Sequence, residues 1–218
     1  MKKKFLSFAL VCAILAITAL PSFATSQFDM SVFDNSEDIT VEYDDMSGRY
    51  DIYTTSLITG KGKIRLKGDY DHVTIYPHIG ISDDMDVYVL CLDYYARDWA
   101  FIDEITIKIG NNLYTFTDFT STRKIYSDAT IKEHLAFSIT PESISFMQDL
   151  IEHRNEKIKV RLHGSANSVD FFLSSTIKDG IINAYNLYVM GGGTAPNNMN
   201  LLTLIEETQM TTKCTQGG

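Results

Sequence analysis

The residues best suited to chemistry lie in the middle of the chain, in the segment 93–101 with the sequence DYYARDWAF. This segment contains the only tryptophan of the chain, together with two tyrosines and an arginine. Aromatic rings flanked by charged groups can stack on a sugar or grip a peptide. The segment therefore predicts a ligand-binding surface made of four side chains: Tyr94, Tyr95, Arg97 and Trp99. The alternative is that Trp99 and Phe101 close one end of a hydrophobic core.

A second candidate site is the acidic loop that contains Asp83, Asp84 and Asp86. Oxygen-rich loops suit calcium, a hard cation that takes about six to eight oxygen ligands. The loop lacks the spaced carboxylates, glycine and final glutamate of a calcium-loop motif. A solvated acidic turn is therefore the alternative to a calcium site. Calcium is the one cofactor that the sequence suggests.

Motifs for nucleophilic catalysis are absent from the sequence. There is no Gly-x-Ser-x-Gly elbow, and Gly164-Ser165 lies between two predicted strands. No two histidines have the spacing of a zinc-binding pair, although His134 and His163 would converge if their strands were neighbours. Paired carboxylates of a glycosidase leave no local signature, so the sequence keeps that chemistry open.

The first 24 residues have the three parts of a cleavable signal peptide. Three lysines at positions 2–4 precede an apolar stretch at 5–20, and Pro21 breaks that stretch. Ser22-Phe23-Ala24 then places small residues at the −3 and −1 positions of a cleavage site. The alternative is an uncleaved membrane anchor, which the proline and the small residues disfavour. We therefore expect a secreted, extracellular protein without stable membrane insertion.

The composition restricts the partners of this protein. The leader carries three lysines and no acidic residues, so its removal changes the net charge from −9 to −12. So acidic a chain repels phosphate backbones and anionic lipids, which argues against nucleic-acid or membrane partners. Cys91 and Cys214 remain after cleavage, and we expect a buried free thiol and a thiol in the tail rather than a disulfide bridge.

Alternation of apolar and polar residues predicts about ten strands. The clearest hairpin pairs residues 105–109 with 113–117 through Gly110. Residues 87–92 are apolar on both faces, as in a central strand, whereas Pro77 predicts an edge position or a bulge in the strand 73–81.

Two helices are predicted after the strands of the first two thirds. Thr140, Pro141 and Glu142 favour a helix start before an apolar stripe that runs to Ile151. A second helix is predicted over residues 175–190, where the glycines at 191–193 end it. The fold class is mainly β, with β-sandwich-like antiparallel sheets and two helices in the C-terminal third. We expect one domain over 25–193 and a flexible or partner-docking tail over 194–218.

These observations favour an extracellular binding or interaction module without catalytic activity. We expect a glycan or a protein at the cell surface as its partner. A secreted glycan-active hydrolase with paired carboxylates is the principal alternative, and an accessory envelope protein whose tail docks on a partner is a third. A sandwich fold by itself does not choose among them.

Overall fold

The computed structural model describes residues 28–55, 62–67, 70–83, 85–140 and 143–193. The predicted signal peptide and tail lie outside these residues, as do Asp84 and Cys214. Within the described residues, no helix is both long enough and apolar enough to cross a membrane.

The described residues form strands, two α-helices and one 3-10 helix. The strands in chain order are β1 (Ile39–Asp44), β2 (Arg49–Thr54), β3 (Lys63–Arg65), β4 (Tyr70–Ile81), β5 (Asp86–Ala96), β6 (Ile102–Ile109), β7 (Asn112–Phe116), β8 (Thr120–Ile125), β9 (Ile131–Ser138), β10 (Lys159–Gly164) and β11 (Ser168–Phe172). Helix α1 spans Ile144–Glu152, α2 spans Ser175–Met190, and the 3-10 helix spans Met30–Phe33.

The strands build two antiparallel sheets. The larger sheet has the order β1-β2-β4-β5-β9-β8, with β3 beside β4, and the smaller sheet has the order β11-β10-β6-β7. The sheets pack face to face, and the rings of Phe116 on β7 and Phe137 on β9 meet with centroids 4.5 Å apart. The predicted fold class is therefore confirmed, with α1 starting at the border of the C-terminal third and α2 lying within it.

Strand β5 runs through the centre of the larger sheet, between β4 and β9. Its inner face contributes Tyr88, Leu90 and Leu92 to the core, and each is at most 1% exposed. Its outer face is also covered, since Cys91 and Asp93 are each 4% exposed. Burial on both faces is what the apolar run at 87–92 predicts.

Pro77 occupies a gap in the pairing of β4. Strand β3 pairs with residues 72–74 of β4, and β2 pairs with residues 78–81. Between them, Pro77 pairs only with Leu90 of β5 among the described residues. A proline has no N–H to donate, so it suits a position with a strand on one side only. The predicted edge position is thus found locally, at residues 75–77 of a strand that has a neighbour on both sides before and after this gap.

The predicted hairpin at Gly110 is formed by β6 and β7. Ile109 pairs with Asn112, which leaves a two-residue turn of Gly110 and Asn111. Gly110 has a φ of +53°, a left-handed conformation that favours glycine. The Gly-Asn sequence therefore predicts this two-residue hairpin turn.

The helices close the remaining surface of the core. Helix α2 has the predicted bounds, Ser174 accepts a hydrogen bond from the N–H of Ile177, and Gly191 is the C-cap. Helix α1 begins at Ile144, later than Thr140, and its N-cap is Ser143. Helix α2 packs mainly on β4, and the hydroxyl of Tyr88 on β5 donates to the carbonyl of Ile181 at 2.8 Å.

Candidate functional site

The predicted aromatic surface is divided by the strand that carries it. Tyr94 points into the core and is fully buried, whereas its neighbour Tyr95 lies on the outer face of the larger sheet. Successive side chains of a strand point to opposite faces, so the two tyrosines cannot contact one ligand from β5. Tyr94 has no exposed surface to offer a ligand, and the structure does not bring it together with Tyr95.

Arg97 and Trp99 lie in the loop between β5 and β6. Arg97 is exposed and donates to the carbonyl of Asp128 at 2.6 Å. Trp99 is half-buried against the core, with its ring 6.1 Å from the ring of Phe101. Phe101 is 43% exposed, and the guanidinium carbon Cζ of Arg123 lies over its ring, 5.2 Å from the ring centroid. The expectation that Phe101 closes the core is therefore wrong, because Phe101 is the most exposed aromatic residue of the segment 93–101.

A buried carboxylate holds this loop in place. Glu133 on the inner face of β9 is 1% exposed, and its carboxylate accepts three backbone N–H groups. These donors belong to Ala100 at 2.6 Å, Phe101 at 2.8 Å and Ile102 at 3.0 Å. Because Ile102 begins β6, the carboxylate joins the larger sheet to the smaller one. Phe101 has a φ of +55°, an uncommon value for a residue with a side chain.

The outer face of the larger sheet carries a buried ionic cluster. Asp93 accepts from His134 Nδ1 at 2.7 Å and from Lys132 Nζ at 2.8 Å. Burial raises the pKa of Asp93, but the hydrogen bonds from His134 and Lys132 outweigh it and leave the pKa below its ordinary value. Cys91 lies two residues along the same face, and burial raises the pKa of its thiol to about 12. The thiol is therefore protonated and a poor nucleophile.

A row of aromatic rings lies beside this cluster. His72 stacks on Tyr95 with ring centroids 4.4 Å apart, and Tyr95 is 6.4 Å from Tyr126. Two lysines complete the row, with Lys132 Nζ 5.6 Å from the ring of Tyr95 and Lys124 Nζ 5.1 Å from that of Tyr126. These charged groups thus already have partners within the protein.

The predicted calcium residues do not form a set in the described structure. Asp83 is exposed, Asp84 lies outside the described residues, and Asp86 starts β5. The carboxylate of Asp86 accepts a hydrogen bond from the hydroxyl of Tyr188 on α2. Calcium binding by this loop stays a prediction.

His134 and His163 belong to different sheets, so their strands are not neighbours as the sequence argument required. His134 is on β9 and faces outward from the larger sheet, beside Asp93. His163 is on β10 and faces outward from the smaller sheet, 3.3 Å from Glu104. They lie on opposite sides of the sandwich and cannot share a ligand.

The outer face of the smaller sheet carries a groove of about 340 Å³. Its lining comes from alternate residues of three strands: Glu104, Thr106 and Lys108 of β6, Leu113 and Thr115 of β7, and Lys159, Arg161 and His163 of β10. A second groove of about 440 Å³ continues from Lys159 along β11 to Arg65 and Lys67 at the end of β3. Phe172, 54% exposed, lines this second groove.

Positive charge dominates these two grooves. Together they are lined by five lysines and arginines, Lys108, Lys159, Arg161, Arg65 and Lys67, against the two acids Glu104 and Asp170. Arg161 and Lys159 both contact Asp170, at 2.5 Å each. Lys108 lies directly across from Lys159 in the register of β6 and β10, and it has no ion pair within the described part of the chain.

The sequence predicts which side chains on each strand of this groove face outward. Residues 104, 106 and 108 alternate with buried isoleucines, as do 159, 161 and 163 with buried apolar residues, so each set must face outward. What the sequence does not reveal is that β6 and β10, about fifty residues apart, are neighbours.

Fold and surface together define a two-sheet antiparallel β-sandwich with a cationic groove across the outer face of its smaller sheet. No protein-family model, no curated protein and no solved structure matches the chain.

Proposed function

We propose that this protein is a secreted, non-enzymatic binding module that holds an extended anionic ligand, such as an acidic polysaccharide, in the groove of the smaller sheet. The observation that carries the proposal is a local reversal of charge. The chain has a net charge of −9, yet the two contiguous grooves are lined by five cationic side chains and two acidic ones. A groove of one sign attracts ligands of the opposite sign.

The arrangement of the lysines supports an anionic ligand. Like charges directly opposite each other on neighbouring strands are destabilising, and Lys108 faces Lys159 in this way. On the larger sheet Lys124 also faces Lys132, but both of those ammonium groups lie over tyrosine rings. Lys108 has neither a ring contact nor an ion pair in the described residues, so its charge is available to a ligand.

The shape of the surface supports a polymer rather than a small metabolite. The two grooves share Lys159 and follow each other across β7, β6, β10 and β11 to the end of β3. An enclosed pocket for a small molecule buries most of the surface of its ligand, whereas these grooves are partly open to solvent. Thr106 and Thr115 add hydroxyl groups beside the charges, and the exposed Leu113 and Phe172 add apolar contacts.

The alternative hydrolase function requires two carboxylates that face each other across a cleft. The two buried carboxylates of the described residues, Asp93 and Glu133, lie on opposite faces of the larger sheet. Both are engaged by donors, His134 and Lys132 for Asp93 and the backbone at 100–102 for Glu133. No observation therefore favours that alternative over the binding module.

The test compares three dextrans that share one backbone: unmodified dextran, carboxymethyl dextran and dextran sulfate. Affinity electrophoresis should show retardation by one or both anionic forms, no retardation by unmodified dextran, and weaker retardation as salt is raised. The Lys108→Glu variant should bind several-fold more weakly, since an exposed ion pair contributes about 0.2–1 kcal/mol and the reversed charge replaces that attraction with a repulsion of similar size.

Lys124→Glu is the matched control, because it makes the same change of net charge at a lysine that also faces another lysine across a strand pair. It should leave binding within about twofold of the unmodified protein. Equal losses in the two variants would mean that only the net charge matters. Equal retardation by unmodified dextran would contradict the anionic ligand.

A further inference from the structure

We propose that Asp149, Glu152 and His153, at the C-terminal end of α1, bind a divalent transition-metal ion such as Zn²⁺. Their spacing of three and four residues puts all three on one face of the helix. One ligand atom from each lies within 4.8 Å of the others. This site is separate from the groove and does not depend on its function.

The geometry needs only small side-chain movements to close on a metal. Zinc lies about 2.0–2.2 Å from nitrogen and oxygen ligands, so its ligand atoms are about 3–3.5 Å apart. The three ligand atoms lie within 4.8 Å of one another, so closure on a metal requires them to approach by about 1–2 Å. Three protein ligands leave further coordination positions for water or for a group from a partner.

The orientation of Asp149 is set by residues of another element. Its Oδ2 accepts from Asn112 Nδ2 at 2.6 Å and from the hydroxyl of Tyr114 at 2.5 Å, both on β7. These bonds occupy one oxygen and hold the carboxylate in place, which leaves the second oxygen for a metal. Bonds of this kind, from outside the ligand set, orient metal ligands in proteins.

His153 is held in the same manner. Its Nδ1 lies 3.0 Å from Glu156 Oε1, so Nδ1–H donates to the carboxylate, and the neutral ring would then present the lone pair of Nε2 to a metal. Nε2 lies against the turn of β6 and β7, 3.5 Å from where a Cβ would stand on Gly110. A glycine there leaves room for the ring. A carboxylate, an imidazole and the metal in line form a common arrangement in zinc sites.

The local charge also favours a cation. Within the described residues, neither Asp149 nor Glu152 forms an ion pair with a lysine or arginine. Arg154, next to His153 in the chain, pairs with Asp179, and Lys178 donates to the carbonyl of Glu156.

The ligand set selects the kind of metal. Calcium and magnesium prefer all-oxygen sites, whereas imidazole favours zinc, nickel, cobalt and copper. A mixed site of one imidazole and two carboxylates should therefore bind Zn²⁺ more tightly than Ca²⁺. The acidic loop at Asp83 and Asp86 offers only oxygen ligands and would show the opposite preference.

The test is isothermal titration calorimetry, in which zinc chloride is added to the purified protein. The protein carries Cys214→Ser so that the tail thiol does not bind zinc. We expect one saturable Zn²⁺ per chain and at least about tenfold weaker binding of Ca²⁺ from calcium chloride. His153→Gln and Glu152→Gln should each abolish the saturable binding. Glu156→Gln should weaken it by roughly tenfold to hundredfold, because it removes only the partner of the imidazole.

His163→Gln is the matched control, since that imidazole also pairs with a carboxylate, Glu104 at 3.3 Å, but belongs to no equivalent cluster among the described residues. It should leave zinc binding unchanged. Glu152 is exposed, so Glu152→Gln should unfold at the same temperature as the unmodified protein and separates lost binding from lost folding. Unchanged binding in His153→Gln and Glu152→Gln, or an equal loss in His163→Gln, would overturn the proposal.

Discussion

Replacement of Glu133 by glutamine should destabilise the protein because the side chain would keep its shape and lose its charge. In the native protein Oε1 accepts from the N–H groups of Ala100 and Phe101, and Oε2 accepts from that of Ile102. The amide oxygen of glutamine can replace Oε1. The amide nitrogen would then stand at Oε2, where it points its own hydrogens at the N–H of Ile102 and at Arg123.

The size of the effect follows from these contacts. A buried N–H left without an acceptor costs about 1–3 kcal/mol. The two remaining bonds change from charge-assisted to neutral, which weakens each by about half, or roughly 0.5–1 kcal/mol. Removal of a buried charge recovers part of its desolvation energy. The free energy of unfolding should therefore fall by about 2–3 kcal/mol for Glu133→Gln.

Urea unfolding monitored by tryptophan fluorescence measures this directly. Trp99, the only tryptophan, precedes the first of the three N–H donors, so it reports global unfolding and any loosening of the loop in the native state. Glu104→Gln is the control, because Glu104 is partly exposed on the outer face of β6, and it should change the free energy by less than about 1 kcal/mol. A Glu133→Gln protein within about 1 kcal/mol of the unmodified one would refute the role given to this carboxylate.

Three further predictions concern single residues. Ala129 has a φ of +63° in an exposed turn, so Ala129→Gly should raise the free energy of unfolding, measured by thermal unfolding, by about 0.5–1 kcal/mol. Ala166→Gly is the control, because Ala166 is an exposed turn residue without a positive φ, and this substitution should lower the free energy of unfolding. Asp93 has a lowered pKa, so the stabilisation it provides is complete above the ordinary carboxyl pKa and is lost as the pH falls through the lowered value. Asp93→Asn should therefore be less stable at neutral pH and should lose less stability on acidification, measured by urea unfolding across that pH range. An equal loss of stability on acidification in the variant and the unmodified protein would contradict this. Burial raises the pKa of Cys91 to about 12, so this thiol should not react with a thiol reagent in the folded protein at mildly alkaline pH but should react rapidly in denaturing urea. The measurement uses a protein in which Cys12 and Cys214 are replaced by serine. Rapid reaction of the folded protein would show an accessible thiolate and contradict the prediction.

Local sequence predicts those elements whose residues carry the whole signal. The hairpin at Gly110 and both ends of α2 follow from glycine, serine and the apolar period alone. Strand β8 is the contrary case, since all six of its residues, Thr120–Ile125, are exposed and show no alternation. It is a strand because β9 offers an edge to pair with, and pairing depends on a neighbour in space.

The candidate sites divide in the same way. Alternation on β9 already puts Glu133 on the same face as Leu135 and Phe137, so a carboxylate on an apolar face is visible in the sequence. The three N–H groups that satisfy it come from a loop about thirty residues earlier, and only the fold brings them together. The prediction for the aromatic segment is wrong in the opposite way. It places Tyr94 and Tyr95 in one site because they are adjacent in sequence, whereas in the strand their side chains point to opposite faces of the sheet.

The two outer faces of the sandwich differ in how far their charges are already satisfied. On the larger sheet Asp93 is bound by Lys132 and His134, and Asp51 is bound by Arg49 and His78 at 3.0 and 2.8 Å. Groups with internal partners contribute to stability and give little to a ligand, since a ligand would have to replace those partners. The groove of the smaller sheet contains such pairs too, since Lys159 and Arg161 contact Asp170 and Arg65 contacts Asp71. Lys108 lacks such a partner within the described residues, and it lies opposite the cation Lys159. An unsatisfied charge facing a like charge gains most from an added anion, which is why the groove of the smaller sheet is the stronger candidate for the binding face.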